Sequence, residues 1–299
     1  MNRVWILYCA LLSFLLSALP VLAAPRVAIS IAPIHALVAE VMAGAGEPVL
    51  LVEAGADPHH FALRPSQAAA VSQAQVVIWV GARFEGHLGK AVKTLAPHAE
   101  LVTLLDRPEL TRLPQRSYGE RQKGAPAGPL DPHVWLDPVN AAAIVELTAA
   151  VLSGRDPENA GTYARNAADV AARLRQLDAT LSTRLQPVRQ QPFVVVHDAF
   201  QYLEARYDLN NLGAIKGAGT EGRQVGLIRY LNQRAAAENA SCVFAEQQFD
   251  GGASHGLDTP QDMTLVVLDP MGYGLPMGPG LYDAMMLRLI DGIIACLGR

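Results

Sequence analysis

The chain is poor in lysine: of its 24 basic residues only four are lysine. Set against 28 acidic residues they give a formal net charge of −4, with no basic stripe. Nucleic acid is therefore not an expected partner, and electrostatic adhesion to a membrane has little to work with. Aromatic residues make up 6% of the chain, few for a wide cleft that grips a bulky ligand. Cysteine is scarce, with three in all, and the His-Glu-x-x-His motif of zinc peptidases does not occur. Apolar residues reach 51% and charged ones 17%, which rules out a disordered or fibrous chain. What is left is a globular protein of 299 residues, long enough for two lobes.

Residues 1–23 read as an address. Arg3 supplies the positive start, Val4–Leu19 is a nearly unbroken apolar run, and Pro20 breaks it. Val21 and Ala23 are the small residues expected before cleavage at Ala24. The alternative is a membrane anchor, since the run approaches spanning length. Export to the periplasm places the two remaining cysteines, Cys242 and Cys296, in an oxidising compartment. A bridge between them would tie a C-terminal helix to a strand; two separate buried thiols are the alternative.

Apolar strand-like runs alternate with helical patterns along the rest of the chain. Strands are expected at Arg26–Ile31, Glu47–Val52, Gln75–Val80 and Glu100–Leu105, then at Pro192–Val196, Leu209–Ile215, Cys242–Ala245 and Leu265–Leu268. Helices fall between them. This predicts an α/β fold of two lobes, each with a mostly parallel sheet flanked by helices. Asp156–Pro187 is the longest helical pattern and reads as a rigid linker. The expected organisation is a signal peptide 1–23, an N-terminal lobe 24–154, a linker helix 155–188 and a C-terminal lobe 189–299. Asp106–Leu130, rich in Pro, Gly and Arg, reads as a long surface loop.

Three histidines stand at corresponding places in this alternation. His59 follows the second strand, His133 sits in Asp131-Pro-His-Val-Trp, and His197 ends Phe193-Val-Val-Val-His. Ligands of open α/β sheets bind outside the carboxyl ends of strands. Residues this far apart in sequence can meet only across a cleft between two halves. Three neutral imidazoles suit Zn²⁺, and a carboxylate would lower the charge of the site. Asp269, ending Leu265-Val-Val-Leu-Asp, is the candidate. Taken singly, each residue also has an ordinary role: His59 and His133 as turn residues, His197 satisfying a strand end, Asp269 capping a turn. His60 is expected to point elsewhere. Glu246 ends a strand and can pair with Arg223, orient a site histidine, or ligate directly. His35, His87, His98 and His255 have no partner motif.

The joint pattern is more specific. Gly55-Ala-Asp-Pro-His-His-Phe-Ala-Leu-Arg-Pro-Ser66, Asp131-Pro-His-Val-Trp-Leu-Asp-Pro138, His197-Asp-Ala-Phe-Gln-Tyr202, Cys242-Val-Phe-Ala-Glu246 and Leu268-Asp-Pro-Met-Gly272 occur in order. Together they resemble the metal-binding solute receptors of ABC importers, of the zinc-uptake ZnuA type, over nearly the whole mature chain. The resemblance implies two lobes joined by one long helix with the metal between them. It implies His59, His133 and His197 as ligands, Asp269, water or a glutamate as the fourth, and a Cys242–Cys296 disulfide. Two departures stand out. The segment Asp106–Leu130 holds no histidine, where such receptors often carry a loop dense in His and Asp. Pro58 stands where some of them have glutamate.

The expected function is high-affinity periplasmic capture of zinc and delivery to an ABC importer, a membrane permease with its cytoplasmic ATPase. Zinc is the transported ligand, and the protein is expected to be a monomer and not an enzyme. Manganese receptors of this type commonly replace the third histidine by glutamate, so His197 favours zinc over manganese or iron. A zinc-dependent hydrolase is the alternative outside the family, with Glu246 as its only evident general base. A surface adhesin, or a receptor for a larger chelate, would need a wide Arg- or aromatic-lined groove. The long helix predicts that binding loops rearrange while the lobes move little. Zinc affinity is expected to fall by orders of magnitude between pH 7 and pH 5.

Overall fold

The computed structural model describes residues 24–53, 61–116, 128–216, 224–246 and 263–299. The leader 1–23, His59, His60, Arg223 and His255 lie outside them.

The first half runs β1 (Val27–Ile29), α1 (Ala32–Met42), β2 (Val49–Leu50), α2 (Pro65–Gln73), β3 (Val76–Trp79), α3 (Gly86–Leu95) and β4 (Glu100–Thr103). Two longer helices follow, α4 (Pro138–Arg155) and α5 (Ala160–Leu185). The second half runs β5 (Phe193–His197), α6 (Gln201–Tyr207), β6 (Asn211–Lys216), α7 (Gln224–Glu238), β7 (Cys242–Glu246), β8 (Thr264–Leu268) and α8 (Leu281–Leu297). Among the described residues the strands form two four-stranded sheets, ordered β2-β1-β3-β4 and β6-β5-β7-β8. Every pairing is parallel. In both sheets the first strand of the half lies between its second and third, so the order reverses at equivalent places.

Local chemistry sets the helix ends. Pro65 and Pro138 open α2 and α4, where a missing N–H costs nothing. Asp137 caps α4 by accepting from Val139 N at 2.9 Å. Gln67 Oε1 accepts from Arg64 N at 2.7 Å at the head of α2. The linker pattern splits: Pro157–Asn159 is a short 3₁₀ turn before α5 begins at Ala160. Asp156 causes this by accepting from Asn159 N and Tyr163 Oη, which draws the chain into a tight turn. At 1.5 Å per residue the 26 residues of α5 span about 39 Å.

The buried face of α5 carries Tyr163, Ala167, Val170, Ala171, Leu174, Leu177, Leu181 and Leu185, at three- and four-residue spacing. It packs along α4, α1 and α8. One continuous apolar core joins the inner faces of both sheets to these helices. Smaller clusters cover the outer faces of each sheet. Arg173 on α5 bridges the halves, pairing with Glu40 on α1 at 2.5 Å and Asp283 on α8 at 2.8 Å. Cys242 and Cys296 are bonded, with Cα atoms 6.1 Å apart, and pin α8 to β7. No described helix is long and apolar enough to cross a membrane.

The stretch 106–130 is not a simple surface loop where it is described. Leu110 is buried, and residues 113–115 run antiparallel to 129–131. Gln115 N donates to Pro129 O at 2.7 Å and Asp131 N to Leu113 O at 2.8 Å. Backbone pairing, which side-chain composition conceals, thus closes the neck of this segment directly before His133.

Candidate metal centre

His133 and His197 come together from opposite halves. Their ring centroids lie 5.3 Å apart, with the rings at 72°. Two rings at this separation can both direct a nitrogen at one ion about 2 Å from each. His133 follows the loop neck and precedes a 3₁₀ turn at Val134–Leu136. His197 is the last residue of β5, at the carboxyl edge where the strand order reverses.

Each ring is held from behind by a carboxylate. His133 Nδ1 contacts Asp131 Oδ1 at 2.8 Å, and the same oxygen accepts from His133 N at 2.9 Å. His197 Nδ1 contacts Glu246 Oε1 at 2.5 Å. Glu246 ends β7, and the β5–β7 register of Val195 with Phe244 carries on to set it beside His197. Nδ1 is thus engaged on both rings. This is the carboxylate–histidine arrangement that fixes the tautomer and raises ligand basicity.

Aromatic rings flank His133. Phe84 meets His133 edge-on at 5.6 Å, and Trp135 lies 5.4 Å from it. Trp135 Nε1 donates to Pro270 O at 2.9 Å, and Tyr282 Oη donates to Trp135 O at 2.8 Å. His133 is 4% exposed and His197 19%, so His133 is the more sheltered of the two. Burial pushes the His197 ring toward neutrality. The Glu246 carboxylate, helped by Asp198 and Asp131, outweighs burial and holds the ring above the usual histidine range.

Asp269 turns Oδ1 to Met271 N at 3.0 Å, while Oδ2 is buried with no hydrogen-bond partner among the described residues. Burial raises its pKa, against backbone N–H groups that lower it. Among the described residues no three His, Cys, Asp or Glu side chains are arranged as a complete metal cage. His59 lies outside those residues. His35 is occupied elsewhere, with Nε2 3.0 Å from Pro48 O, and His87 and His98 are exposed.

Asp131, which holds the His133 ring, is not among the candidates that the sequence singles out. Its signal was an aspartate two residues before a histidine, the spacing of a side chain turning back on the backbone. Of the three roles open to Glu246, its bond to His197 is that of a carboxylate holding a histidine ring.

The model for zinc-uptake complex component A, periplasmic (ZnuA), matches residues 27–296. The chain belongs to the ZnuA family. A high-affinity zinc uptake system protein ZnuA from Paracoccus denitrificans is 33% identical over 94% of this chain and 95% of its own length. The protein of that name from Brucella suis is 31% identical over 91% and 92%. A crystal structure of ZnuA superimposes with a TM-score of 0.77 at 26% identity, covering 92% of this chain and 99% of its own. The ZnuA family is one of solute-binding receptors, not of enzymes.

Proposed function

We propose that this chain captures zinc in the periplasm with high affinity and delivers it to an ABC importer, a membrane permease driven by a cytoplasmic ATPase. One observation carries the reading: two imidazoles from opposite halves sit 5.3 Å apart, each backed by a buried carboxylate. Its relatives bear the name of a zinc uptake protein, which agrees with that chemistry. His133 and His197 are two ligands, and His59 is the third. Asp269 is the fourth-ligand candidate, because an unpartnered buried carboxylate oxygen is costly unless a cation or water meets it. Nitrogen donors favour zinc over manganese or iron. A hydrolase would need a free general base, and Glu246 Oε1 is already committed to His197.

The organisation we propose is a cleaved leader 1–23, lobes 24–154 and 189–299, and a linker helix 155–188, acting as a monomer. The test is dialysis of the mature protein against equal trace Zn²⁺, Mn²⁺, Fe²⁺ and Cu²⁺. His59→Ala, His133→Ala and His197→Ala are expected to lose bound zinc. Unchanged stoichiometry in all three removes the site.

A further inference from the structure

The two described histidines belong to different halves, so something must set their separation before an ion arrives. Helix α6 touches both sides. Tyr202 is buried, and its Oη accepts from Leu113 N at 2.9 Å and donates to Asp131 O at 3.0 Å. Asp131 is the residue that holds the His133 ring. Gln201 Nε2 donates to Pro114 O at 3.1 Å. Arg116, from the same loop neck, reaches the other way. Its Nη1 donates to Glu204 Oε2 on α6 at 2.5 Å. Its Nε donates to Asp198 Oδ2 at 3.3 Å, and Nη2 makes a further short bond to Asp198 Oδ1. Asp198 directly follows His197. Glu204 is buried and also accepts from Asn211 Nδ2 at 2.7 Å, so the fork is anchored to β6.

We propose that α6 and the loop neck form a clasp across the halves, with Arg116 and Tyr202 as positioning residues that preset the spacing of His133 and His197. The inference rests on the reading that these two histidines ligate zinc. The chemistry makes a test with opposed signs. Arg116 is a cation attached to the residue beside a ligand for a dication. By Coulomb repulsion alone its removal tightens zinc binding. If Arg116 acts through geometry, its removal weakens binding.

The experiment uses the full mature chain and measures zinc affinity and off-rate by competition with a fluorescent chelator at pH 7.5. Arg116→Gln and Tyr202→Phe are each expected to lose up to about 10-fold in affinity, since they act one step behind the direct partners of ligands, whose loss typically costs about 10–100-fold. One zinc per chain is retained, and Arg116→Lys recovers part of the loss. The visible band of bound Co²⁺, which reports ligand geometry, changes in Arg116→Gln; a general loss of stability leaves it alone. Affinity equal to or tighter than wild type in folded Arg116→Gln overturns the clasp. Should that variant fail to fold, unchanged affinity in Tyr202→Phe, which alters no charge, overturns it instead. Wild-type zinc binding by both His133→Ala and His197→Ala would overturn the site itself, a different failure from that of the clasp.

Discussion

Replacing Glu246 by glutamine keeps the shape behind His197 and removes only charge. Glu246 is 1% exposed, and its Oε1 lies 2.5 Å from His197 Nδ1. A zinc ion on the far nitrogen would sit about 6 Å from the carboxylate, given a ring and a metal–nitrogen bond of about 2 Å. Coulomb's law at an effective dielectric of about 20 then gives an upper bound of roughly 5.5 kcal/mol. Solvent reaching the His197 ring and the hydrogen bond that glutamine can still accept reduce this. Outer-shell carboxylates of this kind typically contribute about 10–100-fold to metal affinity, or about 1.4–2.7 kcal/mol. A second effect opposes the first. Glu246 also stabilises the protonated His197 ring, and zinc on the far nitrogen would have to displace the proton there. In Glu246→Gln that proton leaves more easily. Well above the His197 titration the proton no longer competes, and the whole affinity deficit shows. As pH falls, competition penalises wild type more than the variant, and the gap narrows. Chelator competition from pH 8.5 to 5.5 measures it. Equal affinities at pH 8.5, or a gap that widens toward acid, would refute the reasoning.

Three further outcomes are expected. Converting both Cys242 and Cys296 to alanine frees a loop spanning 54 positions and lowers stability by about 4 kcal/mol on the loop-entropy model, read by denaturant melts with and without reductant. Burial pushes the Glu85 carboxyl up to about 7, against the Ser30 side chain and the backbone N–H groups that lower it. Its folded value lies above its unfolded one, so the stability it lends is present below about pH 4.5 and fades as pH rises to about 7. Glu85→Gln should therefore gain on wild type between pH 4.5 and pH 8 by up to about 3 kcal/mol, visible in urea midpoints at the two pH values. Gly292→Ala brings a methyl to 2.6 Å from Leu268 Cδ2 on β8 and should cost about 1–3 kcal/mol by calorimetry, through overpacking of α8 on the sheet.

Much of this was legible in the sequence, because each element carries its own period. The runs Val76–Trp79 and Phe193–Val196 are apolar throughout, as strands covered on both faces must be. The three- and four-residue spacing from Tyr163 to Leu185 marks α5. Chemistry at a strand end made His197 legible, and an oxidising destination made the cysteine pair so. Contacts across the halves were not legible. Nothing local relates Arg116 to Asp198, or Tyr202 to Leu113, since these pairs are set by how the helices pack. The early break at Pro157–Asn159 was hidden for a similar reason: a side chain, Asp156, competes for the backbone there.

The core that links the two sheets has a consequence for how the molecule comes apart. Because α5 buries one face against elements of both halves, neither half retains its apolar shelter when the other melts. Unfolding should then be one cooperative event, with a single calorimetric peak whose van't Hoff and calorimetric enthalpies agree. A fragment ending near residue 155, deprived of that shared wall, should expose its inner surface and aggregate when expressed alone.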